Sequence, residues 1–219
     1  MSTIKPKQDQ PAQESKRRPL RADARRNLDL LLNAAMAVFE TSGVNAPILE
    51  ITEKAGVGVG TLYRHFPQRS DLILAVLELQ INACAAAAKD LSAEYEPAEA
   101  LSRWMQLYID LVAKKRGFAS ALHSGDPAYA GLAKYFLKRM VPALSGLLAS
   151  AVKAKVIRPG VPAEDILRAV VRLCHGPQGE EPAYARNMVQ LLLDGMAQGV
   201  TDSEKLRTGR KAQDGERSK

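Results

Sequence analysis

Between Ala55 and Phe66 the chain reads AGVGVGTLYRHF, where Gly56, Gly58 and Gly60 precede a hydroxyl, a phenol, a guanidinium and an imidazole. Two chemistries suit such a run. Glycine-rich turns let backbone amides close around a nucleotide phosphate, and a short helix bearing Thr, Tyr, Arg and His grips a nucleic-acid duplex. The phosphate cradle needs a strand, then G-x-G-x-x-G, then a helix, or else a lysine straight after the last glycine. Here the spacing is G-x-G-x-G, the preceding residues read as a helix, and Thr61 and Leu62 follow Gly60. A duplex-binding helix accounts for more of these residues. Gly56 turns the chain between two helices, Val57 anchors the turn, and the second helix directs Leu62 and Phe66 inward. Val59, Gly60, Thr61, Tyr63, Arg64 and His65 are left for solvent or DNA. Thr61 offers a methyl and a hydroxyl to a base edge, Tyr63 and His65 suit phosphate oxygens, and Arg64 suits either. Gly58 and Gly60 each cost a helix roughly 1 kcal/mol, which is expected where a backbone must approach another molecule closely.

Other chemistries find less support. No G-x-S-x-G, H-E-x-x-H or C-x-x-C occurs, and His65, His123 and His175 have no neighbouring carboxylate pair, so no enzyme, cofactor or metal site is expected. Cys84 and Cys174 read as buried small hydrophobes; a metal or redox site using them with His175 is one alternative. A non-specific, nucleoid-type DNA-binding protein is another, because the net charge is +7. Most of that excess lies at the front, with eight basic and three acidic residues between Met1 and Arg26, and the rest in the tail from Asp202 to Lys219. No run approaches the ~18 apolar residues of a membrane span and no apolar centre marks a signal peptide, so a cytoplasmic protein is expected, with no membrane partner.

The elements that must hold the glycine-rich stretch are helical throughout. From Asp23 the residues Leu28, Leu31, Leu32, Ala35, Val38 and Phe39 form an apolar stripe that Gly43 ends. Pro47 opens a short helix carrying Ile48, Ile51 and Ala55, and Pro67 closes the next. A long helix from about Gln68 carries Leu72, Val76, Leu79 and Ala83. Further helices start near Pro97, Ala130, Pro162 and Ala183, and Pro142 is expected to bend or break the one that contains it. With 46% hydrophobic residues and no convincing strand, the fold class is all-α. The expected domains are a disordered basic arm over 1–22, a helix-turn-helix unit over 23–68, a helical ligand-binding and dimerisation domain over 69–200, and a disordered tail over 201–219. The last two helices carry a wide apolar band, which suits a twofold four-helix interface between two copies. Its candidates are Ile166 and Val170 on one helix and Tyr184, Met188, Leu191, Leu192 and Gly195 on the other.

The run ILEITEKAGVGVGTLYRHFPQRSDLILAVLE resembles the DNA-binding domain of the tetracycline-repressor (TetR) family, over roughly Asp23 to Leu77. The resemblance implies a homodimeric, ligand-responsive regulator, most often a repressor, whose two heads sit roughly 34 Å apart on a pseudo-palindromic operator. It implies base-edge contacts at Gly60 and Thr61 and phosphate contacts at Tyr63 and His65. It adds a basic residue, Arg69, on the DNA backbone, Thr52 near a phosphate, and Arg21, Arg25 and Arg26 as the basic entry to the first helix. It also implies a pocket among the middle helices. Trp104, Met105, Tyr108, Phe118, Leu122, His123, Tyr129, Phe136 and Met140 are the large or adaptable residues there, and a small apolar or aromatic effector is expected.

Overall fold

The computed structural model describes residues 11–114, 118–122, 124–174 and 183–197, and no strand occurs among them. The helices are α1 Pro11–Ser42, α2 Ile48–Ala55, α3 Val59–His65, α4 Arg69–Glu94, α5 Pro97–Lys114, α6 Ala119–Leu122, α7 Leu132–Lys153 and α8 Ala163–Cys174. A last helix, α9, covers residues 183–197. The chain is all-α. It divides into two compact units, residues 1–76 and 77–219, with the division inside α4. Residues 1–10 of the arm, His123, His175 and the tail over 201–219 lie outside the described residues.

In the first unit α1 begins at Pro11, ahead of the Asp23 start expected from its stripe. The added segment is rich in Ala, Arg, Lys, Gln and Glu, residues of high helix propensity. Further along α1, Leu31, Ala34, Ala35, Val38 and Phe39 are buried, and α1 lies against α2. Gly43, at φ 79°, ends α1, and Pro47 leads into α2 with φ −58°. The Ser42 hydroxyl donates to the Glu50 carboxylate at 2.8 Å, joining the two helices across that turn. Asp71 caps α4 by accepting from the Gln68 amide at 2.9 Å.

The buried line on α4 is Leu72, Ile73, Val76, Leu77, Ile81, Cys84 and Ala88, while Leu79 and Ala83 are exposed, unlike the line expected from spacing. The helix is apolar on nearly every side, so periodicity cannot choose a face. By length and hydropathy alone it could cross a membrane. In the fold, its large residues from Leu72 to Ile81 are mostly core.

In the second unit α5, α7 and α8 pack together. Trp104, Met105, Tyr108 and Ile109 of α5 are fully buried. Two of them are polar at one end, and both ends are satisfied. Trp104 Nε1 donates to the Cys84 carbonyl at 2.9 Å and the Tyr108 hydroxyl to the Leu167 carbonyl at 3.0 Å, hooking α5 to α4 and α8. Their rings stack 5.7 Å apart, and Phe136 of α7 lies 6.0 Å from Tyr108. α7 runs through Pro142 without a break; the proline is exposed, so the lost ladder bond faces water. Arg186 of α9 pairs with Asp110 of α5 at 2.7 Å, and the Arg158 amide donates to the Met196 carbonyl at 2.9 Å, tying α9 to this bundle.

Burial pushes the Tyr108 phenol well above the ordinary tyrosine range. The folded chain therefore holds that proton more firmly than the unfolded chain, and stability falls as pH rises above about 10. Tyr108→Phe is expected to lose about 1 kcal/mol at neutral pH and to lack that part of the alkaline fall. Urea unfolding at a series of pH values measures both effects.

Candidate nucleic-acid interface

The geometry of the first unit rests on a reversal at Gly56. This residue sits at φ 64°, ψ 29°, and its amide donates to the Glu53 carbonyl at 3.1 Å while the Val57 amide reaches the Thr52 carbonyl at 3.1 Å. α2 ends with its last carbonyls paired, and the chain leaves at a sharp angle. Gly58, extended at φ −67°, ψ 145°, starts α3, where the Thr61 amide donates to its carbonyl at 2.9 Å. Leu62 and Phe66 anchor α3 in the core. Its opposite side carries Val59, Gly60, Tyr63 and Arg64, all exposed, with Thr61 and His65 half-buried at the edges. Tyr63 is 49% exposed, too much for a core aromatic. Arg25 and Arg26 on α1 are exposed as well. The side chain of Arg21 lies outside the described residues.

Two expected contacts are engaged within the unit. Thr52 is buried and its hydroxyl donates to the Leu49 carbonyl at 3.0 Å, because the face of α2 that holds Ile51 and Ala55 in the core carries Thr52 with it. Arg69 is half-buried, and its Nη1 and Nη2 donate to the carbonyls of Val44 and Ala46. No local signal in the sequence points to this bond, since its partners are backbone atoms in the α1–α2 turn.

Glycine is required at Gly56 by its positive φ. At Gly58 and Gly60 it is not: both have room for a Cβ, with nothing within 4 Å, and neither has a positive φ. The chain's own packing gives no reason for glycine there.

In the second unit the pocket candidates Trp104, Met105, Tyr108, Phe118 and Met140 are buried, and Leu122, Tyr129 and Phe136 are half-buried. Two open grooves occur elsewhere in this unit. One, of about 520 Å³, includes Tyr95, Glu99, Leu147 and Ser150; the other, of about 590 Å³, includes Asn82, Lys138, Arg139 and Pro142. Of the interface candidates, Ile166 and Val170 face the interior of the chain's own bundle. Tyr184, Leu191 and Gly195 are exposed, and Met188 and Leu192 are half-buried.

A buried three-helix support that presents one short helix after a left-handed turn defines a helix-turn-helix DNA-binding protein. Comparison with known proteins names the family. Residues 31–76 match the model for bacterial regulatory proteins of the tetR family, and residues 96–198 match that for the SbtR-like transcriptional regulator C-terminal domain. A TetR transcriptional regulator from Streptomyces coelicolor is 34% identical with a TM-score of 0.63, the match covering 77% of this chain and 97% of that one. A TetR transcription regulatory protein from Mycobacterium vanbaalenii is 32% identical, also at 0.63, covering 82% and 99%. An HTH-type transcriptional regulator from Staphylococcus aureus is 34% identical over 77 residues, which is 35% of this chain and 42% of that protein. The match thus spans about two fifths of the length of that relative. The chain belongs to the TetR family of DNA-binding transcriptional regulators.

The two glycines make opposite predictions. Gly56→Ala is expected to cost about 1–2 kcal/mol, because an L side chain is strained in the left-handed region. Gly60→Ala is expected to hold or raise stability by up to about 1 kcal/mol while weakening DNA binding about tenfold. Thermal melts beside fluorescence-anisotropy titrations of the same samples test the pair.

Proposed function

We propose that the protein is a ligand-responsive repressor that acts in the cytoplasm and binds a pseudo-palindromic operator as a homodimer. The observation that carries the DNA reading is the outer face of α3, where Gly60 is a glycine the fold does not need beside an exposed Tyr63 and Arg64. Gly60 and Thr61 meet base edges, Tyr63 and His65 grip phosphates, Arg64 does either, and Arg25 and Arg26 add charge from α1. The observation favouring a dimer is the outer stripe of α9: Tyr184 is 43% and Leu191 62% exposed, with Met188 and Gly195 on the same line. A second copy covers it with the same stripe. The effector is expected among the middle helices of the second unit, near Trp104, Tyr108 and Phe136. The hydrogen-bond donors of Trp104 and Tyr108 are already committed to backbone carbonyls, so a largely apolar or aromatic molecule suits that region.

Selection of bound duplexes from a random library tests the reading. A palindromic consensus held ~10³-fold over random duplex is expected, and binding without a consensus would leave only the nucleoid-type alternative. Tyr63→Phe should weaken selected and random duplexes by a similar factor, whereas Thr61→Val should change which base is preferred. Replacing Arg25 and Arg26 together by Gln should flatten the salt dependence by up to about two phosphate contacts.

The dimer has its own test. Leu191→Glu puts a charge on the outer stripe of α9 without touching the buried line of Ala185, Val189, Leu193 and Met196. Sedimentation should show a folded monomer with reduced operator affinity. A wild-type chain that sediments as a monomer at micromolar concentration would remove the basis of the twofold operator.

A further inference from the structure

Arg69 joins two places far apart in the sequence. Its Nη1 donates to the Val44 carbonyl and its Nη2 to the Ala46 carbonyl, across the turn between α1 and α2. Both acceptors belong to residues whose side chains are buried in the core, and the turn is closed by the Ala46 amide on the Gly43 carbonyl at 3.1 Å. Arg69 is itself the first residue of α4, directly after the segment that leaves α3. The two helices of the reading motif therefore form an excursion of chain that departs at Pro47 and returns at Gln68. One planar guanidinium fork holds its two ends together.

From this geometry we infer that Arg69 is a positioning residue for DNA recognition: by bridging Val44 and Ala46 to the start of α4 it fixes the base of the α2–α3 excursion and so the pose of α3. The inference rests on α3 being the reading helix. A fork with two parallel donors suits two carbonyls in one plane, which a single ammonium on a flexible stem matches poorly. The clamp acts before DNA arrives, because its acceptors are in the protein. It therefore matters most for selected sequences, where base-edge atoms must meet α3 in one orientation, and least for random duplex, which is held by charge.

The test uses full-length protein with Arg69→Lys and Arg69→Gln, each first checked for wild-type helix content and for being fully folded at the assay temperature. In the DNA-free state, amide exchange in peptides covering residues 43–68 should quicken about tenfold, with peptides of α5 and α8 unchanged. For Arg69→Lys, affinity for the selected operator should fall about tenfold, affinity for random duplex should stay within about twofold, and the salt slope should keep its wild-type value, because the charge remains. Arg69→Gln should show the same exchange and the same loss of discrimination with a flatter slope.

Wild-type exchange and operator affinity in Arg69→Lys, with only a flatter slope in Arg69→Gln, would make Arg69 a plain phosphate cation and overturn the clamp. Faster exchange with undiminished discrimination would leave it a stability contact and overturn the positioning role. Equal binding of wild-type protein to selected and random duplex would overturn the DNA reading itself, an outcome visible without either variant.

Discussion

At Gly56 the chain takes a left-handed conformation and two amides fold back onto the carbonyls of Glu53 and Thr52. The direction of α3 depends on this closure. A residue with a Cβ is strained there, and without the turn Leu62 and Phe66 could not reach the core formed by Leu31, Ala35, Val38, Phe39 and Ile51. Because Leu62 and Phe66 are its inward anchors, the outer side of α3 is left exposed. The support is built accordingly, with the buried stretch of α1 from Leu31 to Phe39, α1 against α2, a proline at the entry to α2, and Asp71 capping the helix that follows.

The second unit is organised by a different physical requirement. Large amphipathic rings in a helical core must find acceptors for their polar ends, and Trp104 and Tyr108 find them on the backbones of α4 and α8. These bonds set how α5 lies among its neighbours, and burial keeps the phenol neutral into the alkaline range. The same bundle buries one line of α9 and leaves the other outside, so a helix with apolar residues on both sides is half satisfied by its own chain. That imbalance, rather than any single residue, is what favours a second copy.

The alternation of helices, their order and the exposed face of α3 were legible in the sequence because each has a local cause. Gly43 and Gly56 end helices, Pro47 and Pro97 begin them, and a four-residue interval places Leu62 and Phe66 on one side. The stripe on α1 is amphipathic enough to name its own buried face. On α4 the expected line held at Leu72 and Val76 and failed at Leu79 and Ala83 for the opposite reason. With apolar residues nearly all round, which of Leu79, Ile81, Ala83 and Cys84 is buried depends on the neighbours.

Local chemistry, then, determined what kind of molecule this is: an all-helical chain with a helix-turn-helix head after a glycine-rich turn, since turns, caps and short-range periodicity act over a few residues. Tertiary structure alone decided where hydrogen bonds and faces were spent. Thr52 went into the core with its helix, Ile166 and Val170 turned inward, and Arg69 gave two donors to carbonyls in the α1–α2 turn. The two Arg69 bonds join residues remote in the chain through backbone atoms that every residue possesses. No side-chain pattern could have announced them.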